Sequence, residues 1–412
     1  MYTTVKNCRL CGGSELKQIM DLGIQALTGF FPRSRIDRVG SGPVELVRCC
    51  STGGCGLVQL RQSYDTSLMY GENYGYRSGL NASMVKHLEN KIIKIVEMEI
   101  LNPDDIVIDI GSNDATSLRA YPQGKYNLVG VDPTGNKFQE YYPEDVILVA
   151  EFFSAAAVRP VLRGEKAKVV TSFSMFYDLE DPITFAREVA EILADDGIWV
   201  FEQSYLPAML QANSFDTICH EHLEFYALKQ IELIAGEAGL KVIDLEFNDV
   251  NGGSFSIVAS KLMSLRPQNH TKLQKIRFDE LAICLEQDEI YEEFKVRVER
   301  SRSATKIFLD EAKSKGKTVY GLGASTKGNV LLQYYGVTDD LITAIGEVNS
   351  EKFGSFTPGS CIPILPENEI LDLDPDYLFV LPWHFRSFFE ALPSLKGRKL
   401  VFPLPNFEIV QL

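Results

Sequence analysis

The chain has 412 residues, 45% of them apolar, and a formal net charge of −15. Its length exceeds what one hydrophobic core usually supports, so two or three packed units are expected. The negative balance disfavours nucleic acid, whose phosphates are bound by clustered Lys and Arg, but leaves open a small anion held by backbone N–H groups at a helix start. The first 30 residues lack a basic stretch leading into an apolar one, and no window of about 18 uncharged apolar residues occurs. No membrane partner is expected, and the protein is expected to be cytoplasmic and a monomer.

Five of the eight cysteines fall in the first 55 residues, whereas Cys219, Cys284 and Cys361 are scattered. Such crowding argues for a metal clip in a reducing compartment rather than a disulfide framework. Cys8 and Cys11 stand at the spacing of a tight turn whose N–H groups face sulfur, and Cys55 pairs with Cys49 or Cys50 across a Ser-Thr-Gly-Gly insertion. The expected ligands of a structural zinc are Cys8, Cys11, Cys49 and Cys55. Packing of the same thiols as small hydrophobes is the alternative.

Around these cysteines, residues 1–60 are short apolar pieces broken by Gly, Pro and Ser, which bury little and gain from a metal staple. A Tyr-, Gly- and Asn-rich bridge follows over 64–76. Asn81 then caps a helix to about residue 99, with Met84, Val85, Leu88, Ile92, Ile95 and Val96 at helical spacing. Beyond it, compact apolar runs at 106–110, 127–131, 146–149, 168–172 and 197–202 alternate with helical stretches such as 185–193, which predicts a parallel sheet with helices on both faces. Runs at 241–247 and 255–259 would close that sheet with an antiparallel pair. Residues 269–315 are charged and helical, either one long helix or a pair. A second, smaller α/β body begins at Thr318, with further strands at 341–347 and 377–381.

Asp109-Ile-Gly111-Ser112-Asn113 ends the first strand of the central sheet, and Asp132-Pro133 ends the next. A glycine there lets backbone approach a ligand, and an acid about 20 residues on can accept both ribose hydroxyls of an adenosine. Asn113 and Ala115 stand where a dinucleotide fingerprint wants further glycines. The spacing therefore favours a cofactor without a pyrophosphate, such as S-adenosylmethionine. Phe153 would flank the adenine and Ser172 the methionine half. His220, Glu221, His222 and Glu224 form the densest titratable cluster, beyond the strand ends where open α/β sheets bind ligands. A histidine beside a carboxylate suits a base working near neutral pH, although His-x-His is also a metal-ligand spacing. Gly321-Leu-Gly-Ala-Ser-Thr-Lys-Gly328 offers a second helix start for phosphate, with Ser325, Thr326 and Lys327 as contacts. Glu347, about 20 residues on, keeps a second dinucleotide site for NAD open.

Taken in order, Cys8-x2-Cys11, Cys55-Gly-Leu-Val-Gln-Leu60, Ile110-Gly-Ser-Asn-Asp114, Gly130-Val-Asp-Pro133, Thr217-Ile-Cys-His-Glu-His-Leu-Glu224 and Gly323-Ala-Ser-Thr-Lys327 resemble the sugar C-methyltransferases, enzymes that build branched deoxysugars on nucleotide carriers. The resemblance spans essentially the whole chain. It implies a zinc-binding domain at 1–75, an S-adenosylmethionine-binding methyltransferase domain at 76–265, and a helical linker with a Rossmann-like nucleotide-sugar-binding domain at 266–412. The implied activity is methylation of a carbon beside the ketone of a dTDP- or GDP-linked keto sugar, commonly C3 of a 4-keto-6-deoxy sugar. By position His222 is the implied base, Glu221 its partner, and Tyr76 a donor to the enolate oxygen, with His220 and Glu224 near the sugar. Two departures bear on the sugar pocket: Cys219 replaces a tyrosine of some relatives, and Phe176-Tyr177-Asp178 replaces a histidine-containing segment. O- or N-methylation with the same cofactor is the competing activity. A zinc-ribbon binding protein with a silent methyltransferase core is the non-enzymatic alternative.

Overall fold

The structure is a computed structural model and describes residues 2–69 and 76–412. Part of the expected bridge, residues 70–75, therefore lies outside the described residues.

The N-terminal segment is more regular than its broken composition suggests. Leu16–Ala26 and Ser41–Cys49 are long antiparallel strands, Val58–Leu60 pairs with the second, and Glu224–Phe225 completes the four-stranded sheet. Alternating burial along Ser41–Cys49 leaves Val44 and Leu46 fully enclosed. The fourth strand arrives from a point about 165 residues downstream, a distance over which local periodicity carries no information.

Asn81 caps the helix Ala82–Glu97, its Oδ1 accepting from the Ser83 and Met84 amides at 3.0 and 3.4 Å. Met84, Leu88, Ile92 and Ile95 form its buried stripe, each stabilising by roughly 1.5–3 kcal/mol when fully enclosed. The central sheet has seven strands in the order Leu240–Asn248, Ser254–Lys261, Leu193–Ser204, Ala167–Phe173, Ile106–Ile110, Asn127–Val131, Val146–Val149. The last five run parallel, and the first two add the antiparallel closure that the sequence predicts. Trp199 and Phe201 stack at 3.9 Å under Phe176 at its centre.

The charged stretch is a helix pair, His270–Ile283 and Glu289–Ser314, broken at Cys284 in the left-handed conformation (φ 58°). The C-terminal sheet orders Ile364–Pro366, Ile345–Glu347, Val319–Leu322, Tyr377–Val380, Lys399–Phe402 and Glu408–Gln411, all parallel except the last. The strand expected over 341–347 forms only at its end. Among the described residues no helix is long and apolar enough to cross a membrane.

Candidate active site

The Sγ atoms of Cys8, Cys11, Cys49 and Cys55 all lie within 4.8 Å of one another, with Cys8 to Cys55 and Cys11 to Cys49 at 3.5 Å. Four thiolates at Zn–S distances of about 2.3 Å sit at about this mutual spacing, so the donor set fits a tetrahedral zinc. The Cys50 thiol points instead at the Arg48 carbonyl, 3.6 Å away, so Cys49 is the member of the doublet that joins the four-thiol cluster. Between the first two ligands, Arg9 ties the clip to the rest of the molecule: its guanidinium donates to the Leu60 and Gln62 carbonyls and to Glu180.

The central turn opens a cavity of about 370 Å³ beyond the strand ends. Gly111 adopts φ +73°, and the two positions lacking expected glycines, Asn113 and Ala115, also take left-handed φ values of 48° and 60°. The turn thus has a glycine-type path without the glycines. Asp132 accepts from the Asn113 amide through Oδ2 (2.8 Å) and from the Thr134 amide through Oδ1 (2.7 Å). Gly111, Ser112, Asn113, Asp132, Pro133 and Phe153 all line the cavity. Asp109, Asp178 and Glu180 join them, and burial pushes the Asp109 carboxyl up to about 7. Carboxyl groups above an apolar floor of Met84, Leu88, Val131 and Phe173 suit a cofactor that is part adenosine and part cation.

Tyr76 sits over this cavity, its carbonyl accepting from Asn113 Nδ2 at 3.2 Å, while the Ser78 amide donates to Asn113 Oδ1 at 2.9 Å. Asn113 therefore pins the covering segment to the cofactor turn. Ser172 corrects the expectation for the fourth strand. It is fully buried and accepts from the Trp199 indole, so the cavity is lined one residue later, from Phe173 to Met175.

Next to the cavity, His222 places Nδ1 2.7 Å from the Thr217 carbonyl. A carbonyl only accepts, so Nδ1 carries the proton and Nε2 keeps its lone pair. Burial, and then Lys327, pull the imidazole down to about 4, so it is neutral near pH 7. Tyr177 packs edge-on against it at 4.4 Å, and Met175 and Asp178, two residues before and one after Tyr177, line the cofactor cavity. Glu221 projects beside it toward Gly29, where an added Cβ would fall 2.8 Å from Oε1. Burial raises this carboxyl to about 7.

His220 and Glu224 do not share that crevice, contrary to expectation. Each is 1% exposed. His220 faces the Gln25 carbonyl at 3.2 Å and packs on Tyr64, and Glu224 lies in the strand paired with Val58–Leu60. The turn at 220–221 and the strand Glu224–Phe225 that follows bring both side chains into the seam with the N-terminal sheet, away from Glu221 and His222.

The C-terminal turn meets the same crevice. Ser325 caps the helix Thr326–Tyr335, its Oγ accepting from Gly328, and Lys327 Nζ donates to the Asn251 carbonyl of the central domain at 2.7 Å. Trp383 donates its indole N–H to buried Asp216 at 2.8 Å. His384 beside it, depressed well below its ordinary range by burial and then by Lys327, also faces this region. Sequence reasoning missed Tyr177 as a contact of His222, and missed His384 altogether; no spacing rule ties 384 to 222. Glu347 is spent on its own loop, accepting from Ala324, Val348 and Asn349 amides at 3.0, 2.7 and 2.9 Å. Pro382 fills the space beside Gly323, where a Cβ would meet it at 2.7 Å. On that side of the turn the protein itself is the glycine's neighbour.

Three family profiles match in succession: a zinc binding domain over 8–70, a methyltransferase domain over 84–245, and a C-methyltransferase C-terminal domain over 249–405. The C-methyltransferase NovU of Streptomyces niveus is 28% identical over 98% of this chain and 97% of its own length. Among solved structures, the CcbJ methyltransferase of Streptomyces caelestis aligns with 42% of this chain and 89% of its own, at 14% identity and a TM-score of 0.34. An S-adenosylmethionine-dependent methyltransferase of Clostridium acetobutylicum aligns with 43% and 92%, at 14% identity and a TM-score of 0.34.

Proposed function

We propose that this C-methyltransferase, matched in succession by zinc-binding, methyltransferase and C-methyltransferase C-terminal profiles, methylates the carbon beside the ketone of a nucleotide-linked keto-deoxysugar, with C3 of a 4-keto-6-deoxy sugar as the expected position. The observation that carries this reading is His222: a neutral imidazole whose Nδ1–H is held by the Thr217 carbonyl, leaving Nε2 as its basic nitrogen, packed on Tyr177 in a stretch whose Met175 and Asp178 line the cofactor cavity. Carbon methylation needs removal of a C–H proton, and a positioned base of this kind contributes about 10²–10⁴ in rate.

Bound in the central cavity, S-adenosylmethionine would supply an electrophilic methyl group. Gly111, Ser112 and Asn113 would face its backbone side, Asp132 the ribose hydroxyls, Pro133 and Phe153 the adenine, and Asp109 its ammonium end. His222 takes the proton at Nε2. Glu221, poised near 7, receives it or holds the acceptor's hydroxyl. Tyr76 lines the cavity and is the expected phenol donor to the acceptor. The start of the helix Thr326–Tyr335, with Ser325 and Thr326, suits the acceptor's diphosphate.

The test is incubation with methyl-labelled S-adenosylmethionine and nucleotide-linked 4-keto-6-deoxy sugars in deuterated water, read by mass spectrometry. Label with solvent deuterium in one sugar is the expected result. Labelled product that retains every original C–H bond would place the methyl on oxygen or nitrogen and end this reading.

A further inference from the structure

Proton removal beside a ketone moves the C–H electron pair into a C=C bond and the carbonyl π pair onto oxygen. The barrier falls only if something meets that developing charge. Building on the keto-sugar reading above, we infer that Lys327 holds the enolate oxygen and acts as a catalytic residue, rather than as a ligand of the diphosphate.

Lys327 stands in the first turn of the helix Thr326–Tyr335 and reaches out of its own domain. Its amine is tethered by one hydrogen bond, to the Asn251 carbonyl, which is its only acceptor among the described residues. An ammonium has three N–H groups, so two remain for a ligand. Asp216 is the obvious partner for a salt bridge, yet Asp216 turns Oδ2 to the Trp383 indole and leaves Oδ1 without a hydrogen-bond partner among the described residues. The charge is thus balanced from nearby but not consumed.

The position of the amine decides its role. The charge of Lys327 is felt at His222 and also by Asp216 and Cys219, which precede the base by six and three residues. Thr217, which orients His222, follows Asp216 directly. Asn251 lies in the turn whose next residue, Gly252, rests against Ser214 and Trp383. Tether, counter-charge and base orienter therefore form one packed group around the amine. Cys219 is a poor competitor as the donor, since an S–H is a weak one and its Sγ is directed at Glu221 Oε2, 3.9 Å away.

The experiment separates enolate formation from binding. Wild type, Lys327→Met and Lys327→Arg are loaded with S-adenosylhomocysteine and a dTDP-linked 4-keto-6-deoxy sugar in deuterated water. Exchange at the carbon beside the ketone is timed, and dTDP affinity is measured by calorimetry. Zinc content and S-adenosylhomocysteine affinity report folding. Lys327→Met is expected to slow exchange at saturating sugar at least 100-fold while the Kd for dTDP moves less than threefold. Lys327→Arg keeps a cation but displaces it, and is expected to lose at least tenfold in exchange with dTDP affinity intact. Wild-type exchange in either folded variant overturns the inference, as does a tenfold loss of dTDP affinity with unchanged exchange at saturation, which returns Lys327 to the diphosphate. Absence of exchange in the wild type with every sugar tried removes the keto-sugar reading itself.

Discussion

The molecule contains the same local construction twice, and the two copies place different neighbours beside the glycine. In the central domain a strand runs into Gly111, a helix-side turn follows, and the next strand ends in Asp132; in the C-terminal domain Gly323 and Glu347 hold the matching places. Both acids accept an amide from their glycine turn, Asn113 in one case and Ala324 in the other. The difference lies in what packs above. Beside Gly111 stands Met175, an unbranched side chain bordering a cavity of about 370 Å³. Beside Gly323 stands the ring of Pro382, and two further loop amides claim Glu347. A strand-glycine-acid pattern is thus a statement about backbone path, and neighbouring side chains decide whether a ligand or the protein itself fills the space.

Several experiments would break or sharpen that contrast. The largest effect is expected outside both copies: Cys55→Ser should abolish zinc binding and unfold the N-terminal sheet, because a structural zinc contributes on the order of 10 kcal/mol. Metal analysis with circular dichroism checks this, and a folded, metal-free protein would contradict it. Within the pair, Gly323→Ala should destabilise by about 3 kcal/mol, combining positive φ with a rigid proline neighbour, whereas Gly111→Ala meets a movable methionine and should cost nearer 1–2 kcal/mol. Denaturant midpoints rank the two.

Asp132→Ala and Glu347→Ala should diverge in kind. The first is expected to weaken S-adenosylmethionine about 10- to 100-fold, the value of lost charge-assisted hydrogen bonds. The second should leave cofactor affinity unchanged and lower stability by about 2 kcal/mol through orphaned loop amides. Calorimetric titration of both variants gives the answer, and NAD binding to either would reopen the second site.

Acid–base behaviour gives a finer test. Glu221 is held at about 7 when folded, above its unfolded value near 4.3, so its protonated form is the one the fold prefers. Its stabilisation is present at low pH and is lost as pH rises through 7. Glu221→Gln should therefore raise stability at pH 8 by on the order of 2 kcal/mol, after allowing for its partial exposure, while reducing turnover. If the Glu221 carboxylate takes part in proton removal, kcat/KM of the wild type should rise through about pH 7. A profile flat from pH 6 to 9 would leave His222, already neutral there, as sole base. The smallest effect is expected for Cys50→Ser, within 0.5 kcal/mol and with full zinc content.

Much of the fold was legible because it is written in short-range periodicity. The cap at Asn81, the apolar stripe behind it, the alternation of strands and helices and the hairpin closing the sheet all depend on neighbours within a few turns. The N-terminal sheet was not, since its fourth strand is Glu224–Phe225, drawn from a distant loop. The same strand explains why the titratable cluster divides between two places. Glu221 and His222 reach the crevice, but pairing with Val58–Leu60 turns Glu224 inward and His220 follows it into the seam.

By itself the sequence determined the zinc clip's cysteine content, the two glycine turns with their acids, and the residues from which a base would come, since spacing along the backbone encodes local geometry. Only the tertiary structure decided that Cys49 rather than Cys50 completes the four-thiol cluster, that Pro382 is the neighbour of one glycine turn while Met175 borders a cavity at the other, and that Lys327 reaches the Asn251 carbonyl at the edge of the central sheet. Those outcomes depend on side-chain direction at seams between distant segments, where packing volume and hydrogen-bond satisfaction, not local propensity, select the arrangement.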